Sequence, residues 1–321
     1  MDLLTYKSGT PFTQKHLLTL KDYSDKDILA ILSLGLKLKT QKRVGMPHYL
    51  LRGKHLAMIF SKSSTRTRVS FEVGMAELGG DSLFLSSNDI QLGRGETIAD
   101  TAQVLSRMVD GIMIRTFAQQ DVEDLAKYGT IPVINGLTDE YHPCQALADI
   151  LTLYEHKGTL DGLKLAYVGD GNNVAHSLMI ICSKLGIDVS IASPQRYEPM
   201  AHVVESCKQF SSLSGAKVVV TNDPVEAVEN ADAVYTDVWA SMGQESEFEE
   251  KSKHFLAYQV NAELMSHAKE SAIFLHCLPA HRGEEVAAEV IDGKQSAVFD
   301  EAENRLHVQK AVMALLMGAH I

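Results

Sequence analysis

The chain has 321 residues, 45% of them hydrophobic, and a formal charge of −11. That length exceeds the ~250–300 residues at which single cores stop growing, so two domains are expected. The acidic balance without a Lys/Arg block excludes non-specific nucleic-acid binding, which needs clustered cations, and no apolar run approaches the ~20 residues of a membrane-spanning helix.

Taken in chain order, residues 12–43 read as helical: Ser24 and Asp27 resemble a capping box, and Ile28, Leu32 and Leu36 form a stripe. Strand-like and helix-like runs then alternate. Residues 55–60 predict a strand and 66–78 a helix closed by Gly79-Gly80, followed by strands at 111–114 and 131–134. Pro143 suits a first helical turn, and the helix it opens runs to about His156. From Leu163 the pattern restarts: strands at 163–168, 187–192, 217–221, 233–236 and 272–276, a helix at 174–185, and a last helix from about 304 to 318. Such alternation predicts α/β architecture: two Rossmann-like domains, each a mostly parallel sheet flanked by helices and joined by interdomain helices. The division expected is 1–150 and 151–303, with 304–321 returning to the first domain.

Residues rich in chemistry fall just after predicted strands, where open α/β sheets bind ligands. Ser64-Thr65-Arg66-Thr67 follows the strand at 55–60 and opens a helix. Free backbone N–H groups, the helix dipole, hydroxyls and a planar cation together suit a phosphate, although a plain Ser/Thr cap with solvated arginines fits the same residues. Arg115 ends the next strand. His142 and Gln145, in His142-Pro143-Cys144-Gln145, could donate to a carbonyl oxygen gaining charge, or merely cap a helix. Gly169-Asp170-Gly171-Asn172-Asn173-Val174 places Val174 where a dinucleotide loop has its third glycine, so nicotinamide or flavin is not expected; the amides of Asn172 and Asn173 suit a carboxylate or ammonium. Asp237 with Ser241-Met242-Gly243 could hold an amine beneath a flexible turn. His276-Cys277-Leu278-Pro279 has no complementary Cys/His set at zinc spacing, so no metal is expected, and nothing local marks Cys277 as a nucleophile.

These motifs, in this order over nearly the whole chain, resemble the transcarbamoylase family, and its ornithine branch in particular. The resemblance implies transfer of a carbamoyl group from carbamoyl phosphate to the side-chain amine of L-ornithine, giving citrulline and phosphate. It implies that Ser64, Thr65, Arg66, Thr67, Gln91, Arg115, His142, Gln145 and Arg305 surround carbamoyl phosphate, Gln91 reaching it across a subunit boundary. Asn173, Asp237, Ser241 and Met242 would hold the α-amino and α-carboxylate end of ornithine, with Cys277 and Leu278 near the reacting amine. Arg66, Thr67, Arg115, His142 and Cys277 are the residues expected to serve the chemistry. The family resemblance also implies a homotrimer or an assembly of trimers, with neither cofactor nor metal.

The aspartate branch carries a different segment where His276-Cys277-Leu278-Pro279 stands. A putrescine enzyme is the nearest rival, but its substrate has no α-amino or α-carboxylate group for Asp237 and Asn173. Two other classes remain open: a dinucleotide-dependent oxidoreductase, and an inactive amino-acid-binding protein on the same scaffold. The four cysteines lack a C-x-x-C pair, and the start Met1-Asp2-Leu3-Leu4-Thr5 lacks a signal-peptide pattern. A soluble cytoplasmic protein is expected.

Overall fold

A computed structural model describes residues 2–92, 95–239 and 248–318. The chain divides into two compact units, Asp2–Ala148 with Glu303–Ile321, and Asp149–Ala302.

In the first unit, β1 (His55–Phe60), β2 (Asp81–Ser86), β3 (Gly111–Arg115) and β4 (Val133–Leu137) form a sheet ordered β2-β1-β3-β4, every pair parallel. The helices α1 (Asp25–Arg43), α2 (Thr65–Glu77), α3 (Ile98–Leu105) and α4 (Gln119–Tyr128) connect or precede them. β1 and β3 are apolar because helices cover both faces of a parallel sheet; Leu56, Ala57, Met58, Ile59, Ile112 and Met113 are fully buried.

The expected helix at 12–43 is only half helix. α1 starts at Asp25, where Ser24 caps it: the Ser24 hydroxyl accepts from the Asp27 amide at 3.1 Å, and Asp27 accepts from the Ser24 amide. The stretch before it runs along the edge of β4 instead. The Leu17 amide donates to the Val133 carbonyl at 2.8 Å, and the Asn135 amide donates to the Leu17 carbonyl at 2.7 Å. An unpaired sheet edge is a row of unsatisfied donors and acceptors, and that demand overrides an apolar spacing that mimics a helix.

β2 escapes the sequence pattern because Gly79-Gly80 reads only as a helix stop. Gly79 takes the left-handed conformation (φ +81°), and a Cβ on Gly80 would lie 2.7 Å from the Lys54 carbonyl oxygen. The pair turns the chain sharply from α2 into the strand beside β1.

In the second unit, β5 (Lys164–Val168), β6 (Asp188–Ala192), β7 (Val218–Thr221), β8 (Ala233–Tyr235) and β9 (Ile273–Leu275) form a parallel sheet ordered β7-β6-β5-β8-β9. Its helices are α6 (Asn173–Leu185), α7 (Ala201–Ser214), α8 (Pro224–Val228), α9 (Phe248–Phe255), α10 (Ala262–Met265) and α11 (Ala288–Ile291). The chain passes between units within α5 (Pro143–Lys157) and within α12 (Val298–Met317). α12 begins about two turns before the helix expected at 304, which places Arg305 well inside it. No described helix is long and apolar enough to cross a membrane.

Each sheet reverses its strand order once, between β1 and β3 in the first unit and between β5 and β8 in the second. At such points the loops leaving adjacent strands diverge and open a crevice at their carboxyl ends. Ser64–Thr67 and Arg115 follow β1 and end β3; Asn173 and Asp237 follow β5 and β8.

Candidate active site

In the first unit the site is built around a buried arginine. Ser64 caps α2, its hydroxyl accepting from the Thr67 amide at 3.2 Å, a bond worth about 1 kcal/mol to the helix. This fixes Thr67 inward (1% exposed) while Thr65 stays exposed. From α12, Arg305 (3% exposed) donates through Nη1 to Gln145 Oε1 at 2.6 Å and through Nη2 to Thr67 Oγ1 at 3.2 Å. One guanidinium thus reaches two partners that precede it by 238 and 160 positions in sequence. At the end of β3 the Arg115 carbonyl accepts from the Ser61 amide at 2.8 Å, so Arg115 and the loop into α2 are held together.

His142, also buried, sits in this cationic setting. Burial first, then the charges of Arg305, Arg115 and Arg66, push its imidazole well below the usual 6.5. It is therefore neutral, able to donate one N–H without adding charge. Within a chain of net charge −11, Arg66, Arg115 and Arg305 give a local cationic field, suited to an anion, beside a neutral donor. Gln91 lies exposed between β2 and α3 and makes no described contact with this cluster.

His142 is one of several imidazoles in this unit kept from protonation; burial lowers His16 and His307 to about 4 each. The unfolded chain binds these protons near pH 6.5 and the folded chain only near pH 4 or below. Stability therefore declines as pH falls from 6.5 toward 4. Thermal unfolding between pH 7 and 5 should show the melting temperature dropping, by about 2–4 °C for each kcal/mol lost. A flat or rising profile would contradict the neutral assignment.

In the second unit the geometry centres on Asp237. Its Oδ2 accepts from Asn172 Nδ2 at 2.8 Å, and its Oδ1 accepts the Cys277 thiol at 3.1 Å and the Val238 amide at 2.9 Å. Asn172 caps α6: its Oδ1 accepts from the amides of Val174 and Ala175 and from the Tyr167 hydroxyl. Asn172 is accordingly a clamp between the helix cap and Asp237, while Asn173 is the first helical residue. Gly171 is explained without a dinucleotide, since a Cβ there would lie 2.2 Å from the Pro199 nitrogen. Ser241 and Met242 lie outside the described residues.

Cys277 is held as a thiol. Burial, then the Asp237 carboxylate, push it well above the usual thiol range, which removes the thiolate that a nucleophile would need. Asp237, His276 and Cys277 bring possible metal-ligand atoms within 4.8 Å of one another. Hydrogen bonds engage these side chains: Cys277 with Asp237, and His276 with neighbours on both ring nitrogens. His276 Nδ1 accepts from the Leu278 amide at 2.8 Å, so its Nε2 carries the proton that faces Glu285 Oε1 at 3.1 Å. That bond supports Leu278 in a left-handed conformation (φ +57°) just before the cis peptide to Pro279. The parts played by Asn172, His276 and Glu285 were not apparent in the sequence, because each acts through a partner distant in the chain or in a tautomer.

Residues 15–155 match the carbamoyl-P binding domain model of aspartate/ornithine carbamoyltransferases, and residues 161–316 match their Asp/Orn binding domain model. The chain belongs to the aspartate/ornithine carbamoyltransferase family. It is 62% identical over 303 residues to the ornithine carbamoyltransferase of Bacillus subtilis, covering 94% of each chain. It is 60% identical to the anabolic ornithine carbamoyltransferase of Pyrococcus furiosus, covering 95% of this chain and 96% of that one. A solved structure of ornithine carbamoyltransferase from Pyrococcus furiosus superposes with a TM-score of 0.93 at 58% identity, covering 96% of this chain and 98% of that one. Carbamoyltransferase family membership removes the oxidoreductase alternative. The arginine cluster falls in the carbamoyl-P model's range apart from Arg305, which the chain supplies from α12.

Proposed function

We infer that the chain is an ornithine carbamoyltransferase, transferring the carbamoyl group of carbamoyl phosphate to the δ-amine of L-ornithine to give L-citrulline and phosphate. The observation that carries this reading is the buried set of Thr67, Arg115, His142, Gln145 and Arg305, tied together by the Arg305 guanidinium, in a chain about 60% identical to named ornithine carbamoyltransferases.

Ser64, Thr65, Arg66 and the amino end of α2 take the phosphoryl oxygens, whose charge grows as the leaving group departs. Thr67, Arg115 and His142 face the carbamoyl oxygen, with Gln145 and Arg305 holding Thr67 in place. Gln91 would complete the site from a neighbouring subunit. The ornithine nitrogen attacks the carbamoyl carbon, the carbonyl electron pair moves onto oxygen, and a tetrahedral oxyanion forms. Collapse breaks the bond between the carbamoyl carbon and the bridging oxygen, which leaves with phosphorus as inorganic phosphate. The amine proton passes to a phosphate oxygen. Free δ-amine has a pKa near ~10, and burial shifts it toward the neutral, attacking form. A neutral His142 suits this scheme, since it donates to the oxyanion without a base role. No electrons change hands, so the step calls for no redox cofactor.

Asn173 and Asp237, with Ser241 and Met242, are assigned to the α-amino and α-carboxylate groups. Cys277 and Leu278 orient the amine; the Cys277 thiol serves as a hydrogen-bond donor to Asp237 and not as a nucleophile. The assay that tests this assignment compares citrulline formation from ornithine with carbamoylation of putrescine. Ornithine should be preferred by at least about 10²-fold in kcat/KM, because a diamine leaves buried partners for the α-groups unsatisfied. Equal use of both would sink it.

A homotrimer is the proposed assembly. Its support is an apolar surface on an edge strand and the adjacent helix: Leu83 and Phe84 of β2 and Val69 and Val73 of α2 are all exposed, with Arg68 stacked on Phe84 at 3.8 Å. The four cysteines are free thiols, which supports a cytoplasmic, reducing location. Synthesis of citrulline for arginine is the proposed direction, supported by the relative named anabolic.

A further inference from the structure

Beyond the substrate contacts, the second unit buries two carboxyl groups against each other. Asp149 of α5 and Glu301 of α12 are both fully buried, and their side chains share a hydrogen bond. Neither was singled out by the sequence, since acids on helices are ordinarily solvated. Two carboxylates cannot both be ionised at hydrogen-bond distance in a dry site, so the pair must retain a proton.

Its position follows from the other partners. Glu301 Oε1 accepts the Tyr235 hydroxyl at 3.1 Å, and Oε2 accepts the His276 amide at 2.9 Å. Glu301 accepts at both oxygens, so the shared proton is assigned to Asp149, which donates it to Glu301. Among the described residues, the titratable groups acting on the pair include Tyr235 from β8, His276 and Cys277 after β9, and Cys182 from α6. Burial and the nearby carboxyl groups push Tyr235, Cys277 and Cys182 upward, so these three stay neutral.

Tyr235 ends β8 two residues before Asp237, and His276 follows β9 one residue before Cys277. Glu301 thus bridges the two strand ends from which the Asp237–Cys277 contact is made. We propose that Asp149 and Glu301 form a proton-sharing pair that positions Asp237 and Cys277 for the amino-acid substrate. Both act as positioning residues, because the pair is fully buried and reaches Asp237 and Cys277 through Tyr235 and His276. The proposal rests on the ornithine assignment for its kinetic consequence but not for the shared proton.

Two measurements test it. Infrared spectra of the ligand-free protein at neutral pH should contain a protonated carboxyl band that Asp149→Asn removes; a wild-type spectrum without that band overturns the shared proton. Steady-state kinetics should then separate the variants. Asp149→Leu removes the donor and Glu301→Gln turns an acceptor into a donor, so each should raise the ornithine KM about tenfold, with the carbamoyl phosphate KM moving less than about twofold. Asp149→Asn keeps an N–H facing Glu301 and should restore ornithine KM to within about threefold of wild type. If Glu301→Gln does not fold, the Leu/Asn pair at Asp149 still decides: equal ornithine KM for the two overturns the positioning role. A wild-type protein that made no citrulline would overturn the functional reading alone, because the infrared result needs no substrate.

Discussion

Arg66→Gly is expected to lower kcat/KM for carbamoyl transfer by about 10³-fold, roughly 4 kcal/mol of transition-state stabilisation. Arg66 is the second residue of α2, partly exposed, and its charge is felt by His142. It is thus placed where a departing phosphate collects charge, beside the free amides at the helix start. The cost to the fold should be small, about 1 kcal/mol for glycine in a helix. Thr67, Gln145 and Arg305 keep their mutual bonds without it. Circular dichroism and melting should therefore stay near wild type while turnover collapses. Arg66→Lys should recover only part of the loss, since a point charge cannot grip two oxygens in one plane. Wild-type kinetics in the glycine variant would remove the phosphate assignment, and with it the reading of the whole cluster.

The second large effect falls on the other substrate. Asp237→Asn should raise the ornithine KM by about 10–100-fold and leave carbamoyl phosphate binding within about twofold. The carboxylate now accepts from Asn172, Cys277 and Val238 at once. An amide offers one oxygen and turns an N–H toward either a thiol or another amide, so a donor faces a donor. The negative charge that would pair with an α-ammonium is lost as well. Equal weakening of both substrates, measured by initial rates and by isothermal titration with each ligand, would contradict the role given to Asp237.

Much of this was legible in the order of residues. Short apolar runs marked most of the parallel strands and apolar stripes at helical spacing most of the long helices, because burying apolar surface is a local demand written along the chain. Ser64–Thr67, Arg115, His142, Asn173, Asp237 and Cys277 stood out because each follows a strand, and α/β sheets bind ligands at strand ends. The segment before Asp25 misled because the same apolar spacing serves a helix stripe or a strip laid on β4, and only the open edge of that strand decides between them. β2 was hidden behind a glycine pair whose close packing against Lys54 is a through-space fact.

The motifs and their order, and hence the family resemblance and the proposed chemistry, are determined by the sequence itself. Charge state and convergence are not. That His142 is neutral, that Cys277 keeps its proton, that Arg305 reaches Thr67 and Gln145, and that Glu301 meets Asp149 all depend on groups far apart in the chain. Desolvation and Coulomb interaction act across a few ångströms of space, whatever the number of residues between the partners, so only the tertiary structure could set them.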